Sequence, residues 1–148
     1  MHLIFHLGWL KAKQSTKRFK SSFTESLFQD YVDRISHFCR CSAAGSENKK
    51  EAGTQLWICD RAPNSKMLTS EQLADRLQKA QDQGTKTLSI LIGGADGYSE
   101  KEIHDLKPDL RWSFGPLTLP HELAAVVASE QIYRAWTILR HLPYHTGH

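Results

Sequence analysis

The chain has 148 residues, of which 40% are apolar and 24% are charged, and its formal net charge is +3 at pH 7. This size and composition predict one globular domain over residues 1–148 and exclude disordered, collagen-like and low-complexity chains. No apolar run approaches the roughly 20 residues that cross a bilayer, and residues 1–10 do not resemble a signal peptide, so we expect a cytoplasmic protein that is not bound to a membrane.

The first half of the chain predicts strands and one long helix. An apolar run at 2–7 predicts a strand that Gly8 ends. Large apolar residues then recur at steps of four and three, which predicts a helix with this stripe in the core: Phe19, Phe23, Leu27, Tyr31, Ile35 and Phe38. The remaining segments are predicted as a strand at 38–43, a loop or frayed helix at 44–54, a buried strand at 55–60 and a turn at 63–65.

Helix-capping patterns organise the second half. Thr69 and Gln72 predict the start of a helix that ends at Gly84, and Ser99 with Glu102 predicts a short helix that Pro108 ends. Strands are predicted at 87–92 and 110–114. Pro120, as a first-turn proline, predicts a long final helix to about His141.

Strands and helices alternate along the whole chain, which predicts an α/β fold with a mostly parallel sheet flanked by helices. In such sheets ligands bind beyond the carboxyl ends of the strands. Three loops leave strands at such ends, at 59–60, 93–97 and 115–120. If the three strands are neighbours, these loops meet in one crevice.

The loops leave two interpretations open. Gly93, Gly94 and Gly97 suit either a tight turn or the close approach of a ligand to the main chain. Their spacing fits neither a dinucleotide fingerprint nor a P-loop. Pro116 and Pro120 stiffen the third loop, which could hold backbone groups toward an adenine edge.

Other polar clusters also allow two interpretations. Five of the residues 11–20 are basic, which fits either a solvated helix face or contacts with phosphates. Polar and basic residues near the end of the chain fit an exposed tail or a functional site: Arg134, Arg140, His141, Tyr144, His145 and His148. Trp112 and Trp136 are expected in the core. The three cysteines, Cys39, Cys41 and Cys59, lack zinc-site spacing, and we expect reduced thiols and no metal site.

Four segments together resemble the RlmH family of SPOUT-class methyltransferases, which act on pseudouridine in large-subunit ribosomal RNA. They are Leu-Ile-Gly-Gly-Ala-Asp-Gly (91–97), Leu-Thr-Leu-Pro-His-Glu-Leu (117–123), Glu-Gln-Ile-Tyr-Arg-Ala-Trp (130–136) and Pro-Tyr-His (143–145). The resemblance is continuous over 59–145. It implies a homodimer whose subunits carry a C-terminal trefoil knot.

The resemblance also implies a cofactor site. S-adenosylmethionine (SAM) is expected against Cys59, Gly93 and Gly94, mostly through backbone contacts. The same site is expected to include the third loop, namely Gly115, Pro116, Leu117, Thr118, Leu119 and Pro120. Cys59 stands where the family more often has a leucine-like residue.

The implied reaction is methylation of N3 of a pseudouridine in 23S ribosomal RNA, on the assembled ribosome. We expect His145 to assist removal of the N3 proton, Tyr144 to position the base, and Arg134 with the 11–20 cluster to hold phosphates. The tail of one subunit is expected to complete the partner's site. No other catalytic pattern, such as a hydrolase triad or paired carboxylates, is evident.

The chain departs from the family at two places. Thr146 stands where the family usually has Arg or Lys, and the 41–54 segment is shorter than in relatives. A second hypothesis is therefore a catalytically weakened protein that binds RNA or the ribosome. A third is a nucleotide-binding α/β domain unrelated to RNA, which would lack salt-dependent affinity for RNA.

Overall fold

The computed structural model describes residues 1–10, 19–46, 50–93 and 97–146. The strands are β1 His2–Leu7, β2 Arg40–Ala44, β3 Thr54–Cys59, β4 Lys66–Met67, β5 Thr87–Ile92 and β6 Leu110–Ser113. The helices are α1 Ser22–Ile35, α2 Ser70–Asp82, α3 Glu100–Leu106 and α4 His121–Leu139. No helix among the described residues is long and apolar enough to cross a membrane.

The strands form one sheet in the order β2-β1-β5-β3-β6-β4, and every neighbouring pair is parallel. The predicted α/β fold is therefore confirmed. The predicted strand at 2–7 and that at 87–92 have the observed bounds of β1 and β5. The short edge strand β4 was not predicted, since two residues carry no periodic pattern.

Helices cover both faces of the sheet. On one face α4 packs against α1 and α2 over the main core, which includes the buried Trp112 and Trp136. On the other face α3 covers a smaller cluster that includes Ile58 and Leu91. β5 contributes Ile90 to the first face and Leu91 to the second, as expected for a strand apolar on both sides.

The predicted apolar stripe of α1 is wrong in part. Ile35 is buried, but Phe23 is 85% exposed and Leu27 is 45% exposed. The helix instead buries Phe28 and Val32 beside Ile35. Steps of four residues rotate about 40° each around a helix of 3.6 residues per turn, so a long run of such steps leaves the core face.

The capping patterns hold in the structure. The Thr69 hydroxyl accepts from the Gln72 backbone N–H at 3.1 Å, and the Gln72 side chain accepts from the Thr69 N–H at 2.9 Å. Ser99 and Glu102 make the same reciprocal pair at the start of α3. Pro120 is the N-cap of α4, one position before the predicted first turn. The described residues of the 44–54 segment contain no helix.

Candidate functional site

The three predicted loops meet because β5, β3 and β6 are neighbours in the sheet. The register places Cys59 at the end of β3 opposite Ile92 of β5 and Trp112 of β6. A cavity of about 760 Å³ opens at this edge. Its volume lies within the range of roughly 300–1,000 Å³ that small-molecule sites occupy.

Most of the residues predicted to contact the cofactor line this cavity: Cys59, Gly93, Gly115, Leu117, Thr118, Leu119 and Pro120. Pro116 is not among the lining residues. Gly94 lies outside the described residues. The expectation that the three loops share one crevice is confirmed, whereas a role for each residue in cofactor binding stays a prediction.

The close approach of Gly93 and Gly97 explains two of the glycines at 93–97. A Cβ atom on Gly93 would lie 2.9 Å from the Cα of Gly97, closer than real contacts allow. Gly97 has a φ of 66°, in the left-handed region that favours glycine. Gly93 and Gly97 therefore lie close together beside the cavity, where a side chain on Gly93 would not fit.

A network of charged and polar side chains around Asp60 and Arg111 stabilises one wall of the cavity. The Asp60 carboxylate accepts from the Arg111 Nε at 2.8 Å, again from the Arg111 Nη2, and from the Ser65 hydroxyl at 2.9 Å. Arg111 also donates to Glu100 at 3.0 Å. Burial alone would raise the pKa of Asp60, but the hydrogen bonds from Arg111 and Ser65 outweigh it and hold the pKa below its usual value. The network ties β6 to the end of β3 and the start of α3.

The cavity has a polar side and an apolar side. Arg61 donates to the Thr118 hydroxyl at 2.6 Å and so joins the first loop to the third. Ile92 and Phe114 belong to the apolar lining. Burial raises the pKa of the Cys59 thiol, which therefore stays protonated and is not a nucleophile at neutral pH. This combination suits a ligand with an apolar ring system and a charged end.

Arg134, Tyr144 and His145 lie together in the structure, and we call them the tail cluster. The Arg134 guanidinium lies over the Tyr144 ring at 4.8 Å, and its Nη1 lies 3.1 Å from the His145 Nδ1. The Tyr144 ring packs on Tyr133 of α4 with centroids 4.7 Å apart. Thr146 donates its hydroxyl to the Pro143 carbonyl at 3.0 Å, within the tail itself.

Two carboxylates that the sequence reasoning missed hold the tail cluster. Glu130 pairs with Arg134 at 2.7 Å and accepts from the Tyr144 hydroxyl at 3.1 Å. Glu71, at the start of α2, lies 2.7 Å from the His145 Nε2. The four-residue spacing on α4 could have indicated Glu130, whereas Glu71 is 74 residues from His145 and no local pattern connects them.

These contacts fix the protons of the tail cluster. Arg134 can only donate, so the His145 Nδ1 accepts and its Nε2 donates to Glu71. The hydrogen bond from His145 lowers the pKa of Glu71. Burial, the hydrogen bond with Tyr31 and the charge of Glu130 raise the pKa of Tyr144, which therefore stays a neutral phenol.

The tail cluster and the cavity are separate within one chain. No residue of the tail cluster lines the cavity. Ten residues of α4 separate the cavity-lining Ala124 from Arg134, which corresponds to about 15 Å along the helix axis. A single chain therefore does not bring the two groups together in this arrangement.

The other sequence predictions have mixed outcomes. Most of the 11–20 cluster, and His148, lie outside the described residues; Lys20 is described and exposed. The cysteines are free thiols, and burial raises the pKa of Cys39 to about 11. Within the described ranges, no group of three or more His, Cys, Asp or Glu residues is placed to hold a metal ion.

Comparison with known proteins identifies relatives. A family model described as a predicted SPOUT methyltransferase matches residues 14–145. Two Psychrobacter proteins named ribosomal RNA large subunit methyltransferase H are 44% and 46% identical over 105 and 93 residues, which cover 71% and 63% of this chain. A Xylella fastidiosa protein of the same name is 49% identical over 82 residues, or 55% of this chain. The matched segments cover 60%, 54% and 50% of those relatives, so the chain spans little more than half of their length.

A solved structure of a Legionella pneumophila protein with bound SAM also matches. It is 14% identical, with a TM-score of 0.46, and the match covers 92% of this chain and 66% of that one.

Proposed function

Since the chain belongs to the SPOUT methyltransferase family, we propose that it transfers a methyl group from SAM to N3 of a pseudouridine in 23S ribosomal RNA. The RNA substrate is carried over from the name of the curated relatives. The observation that carries the proposal is the single cavity formed by the loops after β3, β5 and β6. We place the activity on assembled ribosomes in the cytoplasm, in a single domain.

The residues of the cavity fit SAM. The apolar lining that includes Ile92 and Phe114 suits the adenine ring, and the cavity volume suits a ligand of this size. Arg61 offers a positive charge for the carboxylate group of the cofactor, whereas the charge of Asp60 is already paired with Arg111. When bound, SAM supplies a methyl group already activated by its sulfonium, so the chain must position the acceptor and remove its proton.

Positioning is the larger part of this task. Holding N3 in line with the methyl carbon can supply about 7–11 kcal/mol of the barrier. Tyr144 stays a neutral phenol, and its O–H would have to leave Glu130 in order to donate to a carbonyl of the base. Arg134 is the cation of the tail cluster, and it would hold a phosphate only by exchanging its contacts with Glu130 and His145.

In this proposal His145 takes the N3 proton. Glu71 accepts from its Nε2, which leaves the Nδ1 as the acceptor atom of the ring. Arg134 occupies that atom at 3.1 Å, so the substrate must replace this contact before proton transfer. A phosphate that binds Arg134 would free the Nδ1 at the moment the RNA arrives. The imidazolium then formed is stabilised by the Glu71 carboxylate, as in other histidine–carboxylate pairs.

We also propose that two copies form a homodimer in which the tail cluster of one copy lies at the cavity of the other. The separation of about 15 Å along α4 supports this arrangement, because one chain alone leaves base and cofactor apart. The C-terminal trefoil knot implied by the family stays a prediction.

The first experiment is transfer of labelled methyl from SAM to ribosomes from cells that lack the modification, followed by mapping of the labelled nucleotide. Label at the N3 of a pseudouridine in 23S RNA supports the proposal. SAM binding and salt-dependent RNA binding without label would instead favour the weakened RNA-binding protein. SAM binding without RNA affinity would favour an unrelated nucleotide-binding domain.

The His145→Ala variant tests the proton-transfer step. It should bind SAM as the wild type does but turn over about 10²–10⁴-fold more slowly. An unchanged rate and pH profile would show that His145 is not the proton acceptor.

Mixed dimers test the shared site. His145→Ala disables the tail cluster, and Gly93→Ala is made nearly inactive by assaying at a SAM concentration far below the raised Kd of this variant. If the sites are shared between copies, mixing the two inactive proteins gives heterodimers with one intact site, and about a quarter of the wild-type activity returns. If each site lies within one chain, no activity returns.

A further inference from the structure

Four aromatic rings lie in an unbroken row beside the tail cluster, in the order Tyr144, Tyr133, Phe38 and Trp136. The centroids of successive rings are 4.7, 6.2 and 5.7 Å apart, and the last two rings are parallel to within 3°. Guanidinium groups lie over this aromatic row at three places, which are Arg134, Arg34 and Arg140. The row therefore leads from the tail cluster to the buried Trp136, whose ring lies 5.8 Å from the Arg140 guanidinium.

The three arginines differ in how their charge is balanced. Arg134 is paired with Glu130 at 2.7 Å, and Arg34 is paired with Asp30 at 3.0 Å. Arg140 lies 5.9 Å from the Phe38 centroid and 5.8 Å from that of Trp136, and no carboxylate of the described residues is within ion-pair distance. Arg140 is exposed. Among these three cations, Arg140 is thus the one whose charge is available to an external anion.

The contacts of Arg140 with the aromatic rings also favour binding of an external anion. A guanidinium on an aromatic face uses its π surface for that contact and keeps its in-plane N–H donors free. The ring contacts restrict the side chain before binding, so less conformational entropy is lost when it binds a phosphate. Arg140 follows Arg134 by six residues, or about 9 Å along α4, which lets one RNA segment reach both.

We propose that Arg140 binds a backbone phosphate of the RNA whose target base is held at the tail cluster. This inference rests on the proposed RNA methylation and adds a substrate contact outside the groups that carry the chemistry. The phosphate is the chemical class that matches, because a planar guanidinium recognises its oxygens bidentately.

A purely structural role is the competing explanation. Arg140 is the C-cap residue of α4, and a cation there interacts favourably with the helix dipole. Arg34 provides a matched control, since it lies in the last turn of α1 and over the Tyr31 and Tyr133 rings. The two arginines share a structural setting but differ in having or lacking an acidic partner.

The test measures the affinity of a fluorescein-labelled RNA hairpin, with pseudouridine in its loop, by anisotropy across a series of salt concentrations. Arg140→Gln should raise the Kd about fivefold to tenfold and lower the slope of log K against log salt by about 0.7–0.9, the value of one lost phosphate contact. Arg140→Lys should keep the slope because it keeps the charge. Arg34→Gln should change the Kd by less than about twofold, since the charge it removes is already offset by Asp30.

Several results would overturn the inference. The first is an unchanged Kd for RNA in Arg140→Gln, and the second is a raised Kd in this variant with the salt slope of the wild type. The third is an equal loss of RNA affinity in Arg140→Gln and Arg34→Gln. Thermal melting and SAM affinity of each variant show whether it is folded. If the wild type transfers no methyl to ribosomes, the proposed function fails, while the salt slope still reports on the phosphate contact. If it does transfer methyl, Arg140→Gln should raise KM and leave kcat nearly unchanged.

Discussion

Replacing Gly93 with alanine should weaken SAM binding, because the added methyl group would strike the other end of its own loop. The new Cβ would lie 2.9 Å from the Gly97 Cα and 3.2 Å from the Gly97 carbonyl carbon. Both are backbone atoms that cannot rotate away, so Gly93 and Gly97 must move apart. Overpacking of this kind costs about 1–3 kcal/mol. If that cost falls on the conformation that shapes the cavity, the Kd for SAM rises about 5-fold to 150-fold.

Isothermal titration calorimetry of SAM with the wild type and Gly93→Ala measures this change. Gly84→Ala is a matched control, because Gly84 has a φ of 75° and a Cβ there would meet no atom within 4 Å. The control should lose about 1–2 kcal/mol of stability from left-handed strain but keep its SAM affinity. A Gly93→Ala protein that binds SAM like the wild type would refute the reasoning that the close approach of Gly93 and Gly97 shapes the cavity.

Two carboxylates allow further predictions. Asp60→Asn should cost about 1–3 kcal/mol of stability at neutral pH, because it weakens the charged hydrogen bonds to Arg111. Folding lowers the pKa of Asp60, so the stability that its ionised form contributes is present above the unfolded pKa and is lost as the pH falls through the folded pKa. Urea unfolding at pH 7 and at about pH 3 measures this, because the free energies of unfolding of the wild type and the variant should become similar in acid. Glu71→Gln should lower kcat and change its pH profile while leaving the Kd for SAM unchanged, because the His145 ring loses the carboxylate that fixes its tautomer. Restoration of kcat by Glu71→Asp would support this positioning role, and a wild-type kcat and pH profile in Glu71→Gln would contradict it.

Features set by neighbouring residues could be predicted from the sequence. Both capping boxes join residues three apart, and the structure shows both. The bounds of β5 follow from its mostly apolar sequence, which Gly93 ends. The buried face of α1 could not be predicted in the same way, because apolar residues at steps of four drift from one face of the helix to another. Packing against α4 determines that Phe28 and Val32 are the buried residues.

In the candidate site, too, the sequence predicts some features and only the structure shows the others. That the three loops share a crevice follows from a general rule about parallel sheets, once the strands are neighbours. The contact between Asp60 and Arg111 spans 51 residues and that between Glu71 and His145 spans 74, so neither leaves a local pattern. The resemblance to a family supplied the tail cluster, and the structure supplied the carboxylates that hold it.

The strand order has a consequence for synthesis of the protein. Among the described strands, β3 pairs only with β5 and β6, and β4 pairs only with β6. A nascent chain that has not yet reached Thr87 therefore exposes both edges of β3, including its apolar residues Leu56 to Ile58, with no strand to pair with. Such edges promote aggregation, and contacts between distant segments form slowly. The two neighbours of β3 are the last strands to be synthesised, so we expect the newly made chain to depend on chaperones until β5 and β6 have been inserted.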